Sequence, residues 1–101
     1  MGKKERNLVI GGHNYDIVIK PLEHKERGKV LYGRHSVREN TILINEEVTH
    51  SRQVETLIHE VLHAIYFNCG LEHDERVIDS LSNGLYQLGV GDYLWKKTKK
   101  S

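Results

Sequence analysis

A chain of 101 residues, 38% apolar and 29% charged, is long enough for one buried core and short for two. Its 15 basic against 14 acidic side chains leave a formal charge of +1, which sets it apart from the strongly basic binders of nucleic acid and anionic membranes. No apolar run approaches the length needed to span a bilayer, and a lone cysteine, Cys69, excludes an internal disulfide.

The elements follow in chain order. The run Leu8-Val9-Ile10, the turn Gly11-Gly12-His13-Asn14 and residues 15–19 read as a β-hairpin. Leu8-Val9-Ile10 is also the first apolar run, too short for a secretory signal, so a reducing, cytoplasmic setting is expected. Pro21 ends the second strand, the charged segment 23–28 reads as a loop, 29–33 as a third strand, 36–40 as a turn and 41–45 as a fourth strand. From 51 to 69 there is neither Gly nor Pro. Val54, Leu57, Ile58, Val61, Leu62 and Ile65 recur there at helical spacing as one apolar stripe, with Ser51 as N-cap and Gly70 past the end. Cys69, at the end of this helix, is expected to be a small buried hydrophobe. After a turn over 70–74, Val77, Ile78, Leu81, Leu85 and Leu88 give a second amphipathic helix that ends near 89–91. Lys3-Lys4 and the basic cluster at 96–101 read as solvated tails. A strand-rich half (about 7–45) followed by a helical half (about 51–89), with no repeat or linker, predicts a single α+β domain over 1–101. Its sheet of three to four strands, antiparallel or mixed, would pack on the first helix and on the second, C-terminal one.

The chemistry lies in the first helix. His59-Glu60-Val61-Leu62-His63 spells HExxH, and residues four apart share a helix face, so the two imidazoles can bind one zinc ion while Glu60 serves as general base. A shuffled chain of this composition would carry that string roughly 5% of the time, so its setting must support it. It does: at about 100° per residue both histidines point roughly 130 to 170° from the centre of the apolar stripe, and Glu60 falls between the stripe and the histidines. Catalytic zinc keeps three protein ligands and an open position, so a third ligand must come from elsewhere. Glu75 and Asp79, spaced ExxxD, share one face of the second helix, which invites one to ligate and the other to accept the free N–H of a ligating histidine. Glu75 as ligand with Asp79 behind His59 is the first candidate. A short turn between antiparallel helices would instead bring Asp79 level with the histidines, and His73 is a third candidate. Both carboxylates also suit a helix N-terminus simply as anions. Tyr32, His35, His50 and Tyr66 could each donate to an oxyanion.

The run Thr56-Leu57-Ile58-His59-Glu60-Val61-Leu62-His63-Ala64, with Glu75 and Asp79 downstream, resembles the gluzincin metallopeptidases. At this size it is distantly similar to the reduced bacterial and prophage proteins of the ImmA/IrrE group, over residues 54–88. The resemblance implies a zincin-like fold with a sheet packed on the motif helix and an edge strand beside the metal. It further implies His59, His63 and Glu75 as Zn2+ ligands, Glu60 as catalytic base, and the host cytoplasm if the gene is a phage's. The expected function is a zinc metallopeptidase acting on an intracellular protein or peptide, with no nucleic-acid or membrane partner. The alternative is a zinc-stabilised protein-interaction module with little turnover.

Overall fold

The structure, a computed structural model, describes residues 4–22, 25–26, 29–30, 32–36 and 38–100. Strands β1 (Lys4–Ile10) and β2 (His13–Lys20) form the expected hairpin. Gly11 and Gly12 close it with φ of 59° and 82°, a mirror-image turn whose twist matches that of the strands and which favours glycine at both positions. Of the segment 23–28 only 25–26 is described; this β3 (Lys25–Glu26) pairs with β4 (Lys29–Val30) in a separate two-stranded ribbon. The third predicted strand, 29–33, is thereby divided, because β5 (Gly33–Ser36) leaves that ribbon and joins the main sheet beside β6 (Thr41–Asn45).

That main sheet is a mixed one of four strands, ordered β5-β6-β2-β1. The two-residue strand β7 (Lys99–Lys100) extends it at the far edge. β2 and β6 run parallel, which the long crossover between them permits. Buried Asn45 ties the crossover down: its Oδ1 accepts from the Leu22 N–H at 3.3 Å and the Glu47 N–H at 3.0 Å.

Three helices complete an α+β arrangement: α1 (His50–Cys69), α2 (Glu75–Gln87) and α3 (Val90–Lys97). The stripe of α1 lies on the sheet, where Leu57, Val61 and Ala64 meet Leu8, Ile10, Tyr15, Ile17, Ile19, Ile42 and Ile44. Thr49, not Ser51, caps α1, accepting from the Arg52 N–H, and Gly70 at φ 68° ends it. Cys69, expected to be buried, is exposed, for it is the last residue of a helix whose buried part ends at Ala64.

The second helix is turned from the predicted orientation. Ile78 and Ser82 are its buried residues, while Val77, Leu81 and Leu88 are exposed at 41%, 45% and 79%. The buried face is thus rotated by about 70° from the centre of the apolar stripe, toward the carboxylates. α3 begins where the sequence ends the second helix and runs through 92–95, to which the sequence assigns no element, into the basic cluster read as a solvated tail, where β7 also lies. Gly91 lets α3 lie on α1, since a Cβ there would stand 2.2 Å from Val54 Cγ1. Arg6 of β1 holds its end, bonding to Thr98 and lying 5.6 Å from the centre of the Trp95 ring. Among the described residues no helix is long and apolar enough to cross a membrane.

Candidate metal centre

Three elements build the site. α1 brings His59, Glu60 and His63 to one place because i and i+4 stack one turn apart, and α2 returns beside it after the tight turn at Gly70. Asp74 caps α2 by accepting from the Arg76 and Val77 N–H groups, which fixes Glu75 as its first residue. The rotation of α2 then carries Glu75 and Asp79 against α1.

The donor atoms converge. His59 Nε2 and His63 Nε2 are 3.2 Å apart, and Glu75 lies across both, with Oε2 3.0 Å from the former and Oε1 3.2 Å from the latter. These ligand atoms all lie within 4.8 Å of one another. Donors held tetrahedrally at about 2.0–2.1 Å from one zinc ion stand about 3.3–3.4 Å apart, so the spacing suits such an ion. Asp79 Oδ1 is 3.3 Å from His59 Nδ1, the nitrogen facing away from the triangle. Its acceptor there favours the tautomer with a proton on Nδ1 and a lone pair on Nε2. His73 stands on the outer side, Nε2 3.1 Å from Glu75 Oε1 and its ring stacked on His63 at 4.8 Å.

An ion-pair cluster is the competing account of so many imidazoles around one carboxylate. Burial, however, pushes the His63 pKa below the ordinary histidine value, although Glu60 and Glu75 pull against it. At neutral pH that ring offers a lone pair rather than a charge. Glu75 is half exposed, where salt bridges contribute about 0–1 kcal/mol, too little to hold three rings in one geometry.

Glu60 is not among these converging donors. It is buried, and its Oε1 is 2.8 Å from Nδ1 of His35 on β5. That hydrogen bond raises the His35 pKa above the ordinary value, outweighing burial, and the nearby charges of Glu60 and Glu75 add to it. The His35 ring also stacks on His63, 4.8 Å centre to centre and 22° from parallel.

Of the four side chains considered as oxyanion donors, His35 is thus engaged with Glu60. His50 packs edge-on against Trp95, and Tyr32 lies 5.7 Å from the Arg52 guanidinium, toward the start of α1. Tyr66 is half-buried one turn beyond His63. The His35–Glu60 contact was not foreseen from sequence. Comparison of the chain with protein-family models, with curated proteins and with solved structures finds no match.

Proposed function

We propose that this chain is a zinc-dependent metallopeptidase, zincin-like in architecture, that hydrolyses peptide bonds of a protein substrate. His59, His63 and Glu75 hold the ion and Glu60 is the catalytic base. The observation that carries this reading is the division between two carboxylates. Glu75 spans both Nε2 atoms, whereas Glu60, the neighbour of His59 in the chain, is buried outside the triangle and bonded elsewhere. A purely structural zinc site has no use for a second, buried carboxylate.

A zinc ion bound there supplies Lewis acidity, lowering the pKa of a water and polarising the carbonyl to be attacked. The protein's residues do the rest. Asp79 fixes the His59 tautomer through Nδ1. Glu60 accepts a proton as water attacks the amide carbon and delivers it to the leaving nitrogen, so amide and water end as a carboxylic acid and an amine.

His73 favours a second reading. Its Nε2 lies 3.1 Å from Glu75 Oε1, close enough to close the site as a fourth ligand and leave a zinc-stabilised interaction module without turnover. One experiment separates the two. Zinc content and release of fluorescent peptides from labelled casein are measured for the wild-type chain, Glu60→Gln and His73→Ala. The peptidase reading expects one zinc per chain throughout, proteolysis in the wild type and in His73→Ala, and none in Glu60→Gln. Zinc bound with no proteolysis in any form overturns it in favour of the module.

A further inference from the structure

His35 is a side chain at the site, bonded to Glu60, to which the chemistry above gives no task. Register brings it there. His35 pairs with Ile42 and Gly33 with Ile44, and paired residues project from the same face, so both look toward α1 with the core isoleucines of β6. Gly33 permits the close approach: a Cβ at that position would stand 2.5 Å from Thr56 Cγ2. Glu60, with only 9% of its side chain exposed, has His35 as its hydrogen-bonded partner among the described residues.

We infer that His35 is the positioning residue of the base, donating its Nδ1–H to Glu60 Oε1 and leaving Oε2 to take up the proton. The inference rests on the metallopeptidase reading. An ionised carboxylate only accepts hydrogen bonds, so the shared proton sits on Nδ1. With Oε1 held, rotation about the carboxyl bond stops and Oε2 keeps one direction. The stack of His35 on His63 ties that direction to the plane of a ligand ring. A base held in this way avoids the loss of about a hundredfold that a misplacement of about 1 Å can bring.

The test compares His35→Leu, His35→Asn and Glu60→Gln by casein proteolysis and by zinc affinity in competition with a chelating dye, and compares the wild type with Glu60→Ala by ring-nitrogen NMR of the zinc-free chain. Leucine removes the donor at similar volume, and asparagine places an amide N–H near the position of Nδ1. His35→Leu is expected to lose kcat by about 10–100-fold with KM and zinc affinity kept, and His35→Asn to recover most of it. In the NMR spectrum His35 carries its proton on Nδ1, and Glu60→Ala abolishes that preference, a readout independent of activity and of whether the leucine variant folds. Wild-type kcat in His35→Leu beside an inactive Glu60→Gln overturns this inference and leaves the peptidase reading intact. So does a wild-type His35 that is neutral with its single proton on Nε2, which leaves Nδ1 nothing to donate. A wild-type chain that binds zinc and cleaves nothing overturns both, because there is then no base to position.

Discussion

Asp79→Asn is the substitution that probes the proposed metal centre without touching a proposed ligand. The asparagine keeps an acceptor oxygen beside His59 Nδ1 but drops the charge that makes the imidazole a better donor to the metal. Removing such a partner costs about 10–100-fold in metal affinity. Two features of this pair select the lower end: Asp79 is 61% exposed, so solvent screens it, and 3.3 Å is a long separation. The expected loss is therefore about tenfold, or about 1.4 kcal/mol. With zinc well above both dissociation constants, that difference passes directly into the stability of the loaded protein. For a domain of this size it lowers the melting temperature by about 6–11 °C. The zinc-free forms should melt together, since an exposed substitution alone stays within about 0.5 kcal/mol. Competition with a chelating dye gives the affinity, and circular dichroism melts in excess zinc and in excess EDTA give the two stabilities. Asp79→Ala, which drops the acceptor as well, should lose at least as much. Equal affinities in wild type and Asp79→Asn, with binding lost in Glu75→Ala, would refute the reasoning and leave Asp79 a solvated anion near a helix start.

Zinc itself should raise the wild-type melting temperature. At a hundredfold excess over its dissociation constant it adds about 2.7 kcal/mol, or about 11–22 °C, and Glu75→Ala should abolish the shift because α2 then has no ligand to share with α1. Gly33→Ala should lose about 1–3 kcal/mol in denaturant melts, because the added Cβ meets the Leu43 carbonyl oxygen at 2.6 Å as well as Thr56, and backbone cannot yield as a side chain can. Gly91→Ala sets a helix-propensity gain of about 1 kcal/mol against overpacking of about 1–3 kcal/mol on Val54; net destabilisation is expected, and partial recovery on adding Val54→Ala would show the clash to be its source.

What the sequence disclosed and what it withheld divide along the range of the interactions. The hairpin, the fourth strand and α1 are written in local terms, paired glycines in a turn and an apolar stripe at helical spacing, and the structure has them where those signals lie. The i, i+4 histidines belong to the same local grammar. α3 is only eight residues long and begins between two glycines, so no periodicity could accumulate to mark it. The apolar stripe of α2 misstated its buried face, because neighbours rather than hydropathy decide which side of a short helix is covered: Ser82 goes inward with Ile78 while Leu81 stays in solvent. That same rotation sets Glu75 across the two histidines. His35 was the least legible, since its partner is 25 residues away and the contact depends on pairing β5 with β6 in one register and no other. A slip of one residue would turn its ring to the opposite face of the sheet. Gly33 is the local trace of that long-range fact: a glycine within a strand marks a close approach of another element, and here it lies two residues before the histidine that the approach delivers. The surroundings of Glu60 are therefore set by an edge strand and the His59–His63–Glu75 triangle by two helices, so substitutions at Gly33 should disturb Glu60 while leaving the triangle able to bind zinc.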